Sequence, residues 1–282
     1  MAAAVLAVPT VPAAAGSVAT GSRVSVPSDI RAWGAELVNA NTGTRLWSKK
    51  LHAPRPIGSI AKVMTALVVL QAGDLNRKIT VTRAAIRYVR RDGASSAGLV
   101  PGDVLTAGQL LEAMLVPSGC DAAYLLATAY GPGRAGFITK MNAMARSLDL
   151  GSTHFSSFDG MPFPTEHSTY SSPADLIRLG EAAMKYPLFR EIVRQRRYLV
   201  HGWARHHHRY LWTTTNLLLS SYRGTLGIKT GSTKAAGDCL LFEARRGSRN
   251  LIGVVLHANP TDSVSSRFVM ATRLLNWGFR HF

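Results

Sequence analysis

Read by the spacing of its apolar residues, the chain falls into two short strands, a block of helices, three further strands and a closing helix. The first strands, 34–39 and 45–49, flank the turn Asn41-Thr42-Gly43-Thr44 and predict a hairpin. Over 57–71, Val63, Ala66, Leu67 and Leu70 recur at helical spacing, which predicts a helix with Ser59 in its first turn. A polar-interrupted stretch follows, then helical runs at about 107–116, 120–130 and 134–148. Gly131, Pro132 and Gly133 break the second of these from the third. Residues 152–171, rich in Gly, Ser, Pro and His, read as a long surface loop. Ser172 then caps a helix that has Pro173 at its first position and continues through Asp175, Leu176 and Leu179. Another helix is expected from about 187 to 194, strands at 226–231, 239–245 and 250–258, and an amphipathic helix over about 265–279.

Uneven blocks of this kind predict α+β layering and not an alternating βαβ fold. Short turns join the three C-terminal strands, so they run antiparallel, and the first two strands can complete the same sheet while the middle helices form a lobe beside it. Residues 1–28 read as leader plus linker, and 29–282 as the folded domain. The N-terminal apolar stretch ends in an A-x-A site at Ala13-Ala14-Ala15, as in a secretory leader. The first charged residue is Arg23, so this is either an export signal with a truncated front, the reading adopted as the expectation, or an Ala/Pro-rich arm. No later apolar run approaches the ~20 residues that span a bilayer. The protein is therefore expected outside the cytoplasm, without an integral anchor of its own.

Composition changes this picture in one respect. With 282 residues, 46% hydrophobic and 8% aromatic, the chain has the make-up of a globular protein. Its 33 Lys and Arg against 16 Asp and Glu give a formal charge of +17, a field that draws it to polyanions. Neither zinc-finger spacing nor an aromatic RNA-binding signature is present, so anionic cell-envelope polymers are the expected partners and no specific nucleic acid is. The two cysteines, Cys120 and Cys239, make no disulfide framework and are expected as buried thiols. In the run from His201 to Arg209, consecutive histidines on a strand alternate sides and cannot all face one ion. A solvated hairpin tip is expected there, and with Arg194, Arg196 and Arg197 it forms the basic edge that would meet such polymers.

Three short words carry the chemistry: Ser59-Ile60-Ala61-Lys62, Ser118-Gly119-Cys120 and Lys229-Thr230-Gly231. S-x-x-K supplies a nucleophile with its base, the second word another hydroxyl, and K-T-G a cationic strand for a carboxylate. On a helix, positions i and i+3 share a face, so the Lys62 amine can reach the Ser59 hydroxyl and take its proton once its pKa is lowered. A helix N-terminus and a second cation such as Lys229 push that way, while the free N–H of Ser59 can meet an oxyanion. Thr230 offers a hydroxyl to a carboxylate, and Gly231 leaves room for close backbone approach. Singly, each word also has an ordinary reading: Ser59 and Ser118 as helix caps, Lys62 as a surface cation, Lys229 as a strand end. Their joint occurrence favours the site.

These words and their surroundings resemble the penicillin-binding DD-peptidases of the D-alanyl-D-alanine carboxypeptidase type, from about residue 30 to the C-terminus. The resemblance lies in Gly58–Ala66, Thr153-His154-Phe155, Gly227–Thr233 and Leu275–Phe279. The stretches Pro117–Tyr124 and Ser157–Gly160 look like an actinobacterial DD-transpeptidase subgroup. It implies a five-stranded antiparallel sheet flanked by helices with a helical lobe, as in serine β-lactamases. It also implies acyl transfer from D-Ala-D-Ala stem peptides of peptidoglycan, with catalytic Ser59, Lys62 and Ser118 and substrate-binding Cys120, Lys229, Thr230, Gly231 and Ser232. β-Lactams would acylate Ser59, and no metal or organic cofactor is expected. The chain departs from the family at Cys120, where Asn is usual, and a thiol is a weaker hydrogen-bonding partner than an amide. Arg249 is not expected to touch the substrate carboxylate. Glu166 lacks the Leu-Asn that would follow it in a class A β-lactamase, so efficient β-lactam turnover is not expected. A non-catalytic wall-peptide binder of the same fold stays open as the alternative.

Overall fold

The computed structural model describes residues 26–27, 29–201, 208–258 and 266–282. The histidine-rich tip at 202–207 and nearly all of the expected leader lie outside the described residues. Five strands make one antiparallel sheet: β1 (Ala32–Asn39), β2 (Thr44–Lys49), β3 (Thr225–Thr233), β4 (Gly237–Arg246) and β5 (Arg249–Ala258). Their order is β2-β1-β5-β4-β3, so the first hairpin completes the sheet of the last three strands and β3 is left as an edge. The register sets Leu37 opposite Gly253 and Lys229 opposite Leu241. This is the α+β layering that the order of elements predicts.

Both faces of the sheet are covered, which explains why β4 and β5 read as almost unbroken apolar runs. Leu240, Phe242, Leu251 and Val255 pack with the C-terminal helix, while Leu241, Ile252, Val254 and Leu256 on the alternate face join the core of the helical lobe. In chain order the helices are α1 (Ala61–Ala72), α2 (Arg83–Asp92), α3 (Ala107–Leu115), α4 (Cys120–Tyr130), α5 (Gly133–Ser147), α6 (Pro173–Met184), α7 (Pro187–Val193), α8 (Leu218–Ser221) and α9 (Ser266–His281). All ten residues from Ala61 to Leu70 are buried, so α1 is the apolar-all-round axis of the lobe, not a surface helix with one buried stripe. That burial is what takes Lys62 out of water.

Two expectations need correction. α2 lies in the stretch read as polar-interrupted, and its signals are caps: Thr82 Oγ1 accepts from Ala85 N, and Gly93 closes the helix at φ 59°. Its arginines mask a short apolar stripe of which only Ala85 and Val89 are buried. The segment 152–171 is also not a surface loop throughout, because Phe155, Ser157, Phe158 and Asp159 are buried. Its hydroxyl-rich composition satisfies that buried backbone from within. Thr169 Oγ1 accepts from Ser156 N and Ser157 N, and Ser157 Oγ accepts from Gly160 N at 3.1 Å. The basic edge is carried by a two-stranded ribbon, Arg197–His201 paired with Arg209–Thr213.

Candidate active site

Ser59 lies in a single 3-10 turn, Gly58–Ile60, that runs directly into α1; it precedes the α-helix instead of sitting in its first turn. The i, i+3 relation survives, and Lys62 Nζ donates to Ser59 Oγ at 2.8 Å. Two other acceptors complete its surroundings, the Asp159 carbonyl at 3.0 Å and Cys120 Sγ at 3.2 Å. The carbonyl can only accept, so it fixes one N–H of Lys62 whatever its protonation state. The lone pair of the neutral amine must then turn to a group that can donate, a hydroxyl or a thiol. Two glycines allow this close approach. A Cβ on Gly231 would stand 2.3 Å from Ile57 O, and one on Gly160, at φ 84°, would stand 1.9 Å from Gly58 O. Strand β3 and the segment 157–160 thus grip the Ser59 turn from opposite sides. Ser232 is near enough that a Cβ on Gly58 would lie 2.8 Å from Ser232 N.

Lys229 is in the middle of β3, not at a strand end, and is 1% exposed. Its ammonium donates to Ser118 Oγ at 2.9 Å and to Thr230 O at 3.1 Å. Thr230 Oγ1 is in turn 2.6 Å from Thr215 Oγ1. Burial, and after it the charge of Lys62, hold the Lys229 pKa well below the usual lysine range. Ser118 caps nothing: Gly119 occupies the N-cap of α4 without a side-chain cap bond. Ser118 has φ 67°, a left-handed conformation rare for a residue with a Cβ, and Ser95 Oγ ties down its carbonyl at 2.5 Å. Cys120 opens α4 beside Lys62, and burial pushes its thiol up to about 11, so it stays uncharged near neutrality. Cys239 is also a buried free thiol.

The eight residues expected at the site therefore lie on three elements that meet at the Ser59 turn. Four contributors escaped the sequence reading. The Asp159 carbonyl holds Lys62, and the Tyr88 hydroxyl donates to Asp159 Oδ2 at 2.8 Å. Thr215 braces Thr230, and Arg267 of α9 donates to Gly231 O at 3.0 Å while pairing with Asp238. Backbone atoms carry no residue-type signal, and Arg267 is 36 residues from its contact. Arg249 donates to Phe279 O at 2.7 Å, at the opposite end of β5 from the partner of β1 residue Ala32. Glu166 accepts from Ala235 N at 3.2 Å.

Asp121 fixes the loop behind Cys120, its carboxylate accepting from Ala97 N at 2.9 Å, Leu99 N at 3.3 Å and Ser96 Oγ at 2.7 Å. Asp121→Ala strands these buried donors and is expected to cost about 2–4 kcal/mol. Urea unfolding monitored by tryptophan fluorescence measures the loss as a lower midpoint at unchanged slope.

Comparison with known proteins agrees with this geometry. Residues 20–260 match the family described as D-alanyl-D-alanine carboxypeptidase. The D-alanyl-D-alanine carboxypeptidase of Streptomyces sp. strain K15 is 40% identical over 272 residues, covering 93% of this chain and 91% of that protein. A D-alanyl-D-alanine endopeptidase of Escherichia coli is 32% identical over 276 residues, covering 96% of this chain and 84% of that protein. The crystal structure of the Streptomyces K15 DD-transpeptidase superposes with a TM-score of 0.85 at 40% identity, covering 91% of this chain and 100% of that one. By sequence, by fold and by the serine–lysine arrangement at the start of α1, the chain belongs to the D-alanyl-D-alanine carboxypeptidase family.

Proposed function

We propose that the protein is a serine-type D-Ala-D-Ala carboxypeptidase or transpeptidase that acts on peptidoglycan stem peptides through an acyl-enzyme on Ser59. The observation that carries this reading is the 2.8 Å contact from Lys62 to Ser59, opposed across the site by Lys229 on Ser118 at 2.9 Å. Ser59 Oγ attacks the carbonyl carbon of the penultimate D-Ala while its proton passes to the Lys62 amine. The oxyanion is met by the N–H groups of Ser59 and Ser232. As the C–N bond breaks, Ser118 hands a proton to the leaving nitrogen and is resupplied from Lys229. The terminal carboxylate lies by Lys229 and Thr230, where no carboxylate of the protein competes for the charge among the described residues. Water or an amine then attacks the ester, its proton passing through Ser118 back to Lys229, while the C–O bond to Ser59 breaks and Ser59 recovers its proton from Lys62. Penicillin treatment followed by digestion and mass spectrometry tests the reading. The adduct is expected on the peptide carrying Ser59, and incubation with an acyl-D-Ala-D-Ala peptide is expected to release D-Ala. A protein that binds the peptide and neither releases D-Ala nor gains the adduct is a non-catalytic wall-peptide binder instead.

The names of the relatives, carboxypeptidase, transpeptidase and endopeptidase, attach different outcomes to one fold. Cys120 bears on that choice. An Asn carbonyl in its place would fix a second N–H of Lys62 and leave only Ser59 facing the lone pair, whereas the Cys120 thiol competes with the hydroxyl as a donor. Cys120→Asn is expected to raise hydrolysis of the acyl-enzyme about tenfold, the worth of one hydrogen bond in a transition state. Release of bound fluorescent penicillin over time measures it. Weak β-lactamase activity is the less supported reading, because Glu166 is not followed by the Leu-Asn of the class A enzymes and its carboxylate accepts from Ala235 N. Among the described residues no helix is long and apolar enough to cross a membrane. The leader-like N-terminus and the wall substrate support a protein exported to the cell envelope. The exposed Arg194, Arg196 and Arg197 would there meet anionic polymers, an attraction that salt should screen.

A further inference from the structure

A buried carboxylate costs stability unless a cation or enough hydrogen bonds compensate it, and one such group lies outside the acyl-transfer steps above. Glu243 on β4 is 5% exposed. Its Oε1 accepts from Asn250 Nδ2 at 2.6 Å, but no ion pair reaches either of its oxygens among the described residues. Burial pushes its carboxyl above the usual carboxylate range, against the hydrogen bond from Asn250 and the charge of Arg245. Asn250 Oδ1 is itself buried without a hydrogen-bond partner. Glu181 of α6 is half-buried, is raised by burial in the same way, and has no ion pair of its own among the described residues. These groups meet at a cavity of about 580 Å³ whose walls come from α6, α7 and the sheet, and which shares no lining residue with the Ser59 site.

The cavity also has cations that lack a partner. Glu243 and Arg245 are two apart on β4, so both side chains leave the same face of the sheet, about 7 Å apart at the backbone. Arg245 is exposed. Arg190 of α7 borders the same cavity, its guanidinium steadied on Met184 O at 2.6 Å and Lys185 O at 2.9 Å. Neither guanidinium pairs with a carboxylate among the described residues. Met184 and Leu226 supply an apolar wall. A simple cation would leave the guanidiniums unpaired, and a simple anion would leave Glu243 unpaired. A molecule with an ammonium and a carboxylate on one carbon satisfies both, since two hydrogen bonds of about 2.9 Å on either side of it bridge such a gap.

We propose that this cavity binds a small apolar α-amino acid as its zwitterion, the ammonium on Glu243 and Asn250, the carboxylate on Arg245 and Arg190, and the side chain against Met184 and Leu226. The binding is non-covalent and stands whether or not Ser59 forms an acyl-enzyme.

The test titrates D-alanine, a molecule that the proposed reaction releases, into the isotope-labelled whole protein and follows the backbone amides by NMR. Saturable shifts are expected around Glu243, Arg245 and Asn250 and not at Ser59 or Ser118. Glu243→Gln keeps the shape and the bond to Asn250 but removes the charge, and it is expected to weaken binding about tenfold, the scale of one charge-assisted hydrogen bond. Arg245→Gln should weaken it by a similar factor. N-acetyl-D-alanine, which has no ammonium, and D-alaninamide, which has no carboxylate, should each bind about tenfold more weakly than D-alanine. If Glu243→Gln fails to fold, Arg245→Gln and the two derivatives still decide. Absence of saturable binding overturns the proposal, as do shifts gathered at Ser59 and Ser118 instead. Equal affinity in Glu243→Gln, equal binding of N-acetyl-D-alanine, or binding of soluble polyphosphate without binding of D-alanine overturns it too.

Discussion

Lys62→Met is expected to slow acylation of Ser59 by penicillin about 10³–10⁴-fold, the contribution of a well-placed general base. Lys62 is fully buried and makes a 2.8 Å contact with Ser59, so methionine fills its volume while removing the one amine that can take the Ser59 proton. Lys62→Arg separates charge from basicity: a guanidinium keeps the positive charge but never accepts a proton. It is expected to be nearly as slow as the methionine variant. Because Ser59 and Lys62 act as one unit, Ser59→Ala combined with Lys62→Met should be no slower than Ser59→Ala alone. Part of the loss in Lys62→Met is structural, since the Asp159 carbonyl gives up a donor in a dry site, at about 1–3 kcal/mol. Thermal melting apportions that part. A Lys62→Arg protein that acylates within tenfold of the original rate would remove Lys62 from the role of base and leave it an electrostatic one.

The sequence disclosed most where one residue type does one job at one spacing. Ser59 and Lys62 are three residues apart and Lys229-Thr230-Gly231 are contiguous, so local geometry alone constrains what they can touch. The strands β3 to β5 and the cap at Ser172 were legible for the same reason, since turns, alternation and N-cap chemistry are local. Three features escape such local rules for different reasons. α2 escaped because its buried stripe is Ala85 and Val89 alone, too sparse to show a period among four arginines. The segment 152–171 was misplaced at the surface because small polar residues suit exposed loops and also buried loops that bond to themselves, as Ser157 and Thr169 do. Partners such as Tyr88, Thr215 and Arg267 reach the site through tertiary packing, and Asp159 acts there through a carbonyl that every residue has. Ser118 shows the difference within one residue. Its place in the second word marks it for the site while its position before a helix also permits a cap, and its left-handed φ accompanies a side chain that meets Lys229 and caps nothing.

Lys229→Met is expected to lower kcat/KM for a peptide ending in a free carboxylate by about 10²–10³-fold, since removing one partner of a buried charge pair costs about 2–5 kcal/mol. The loss should be much smaller for the corresponding peptide amide, which brings no charge to the site. The same side chain sets a pH dependence with a definite sign. Burial and the Lys62 charge depress the pKa of Lys229, so in the free protein its ammonium is present below that lowered value and lost as pH rises through it. Attraction for the substrate carboxylate is lost with it, and kcat/KM should fall as pH rises through that lowered value. Once the carboxylate is bound it favours the ammonium, so the limb of kcat should lie at higher pH than that of kcat/KM. Folding responds in the opposite direction. Between the depressed native value and the ordinary lysine value of the unfolded chain, the unfolded state binds more protons, and this group makes stability rise with pH. Activity falling while the melting temperature holds or rises over one pH interval is thus the expected signature of Lys229, and Lys229→Met should abolish both slopes. Coincident limbs for kcat and kcat/KM, or a limb that persists in Lys229→Met, would assign the titration to another group and with it the capture of the carboxylate.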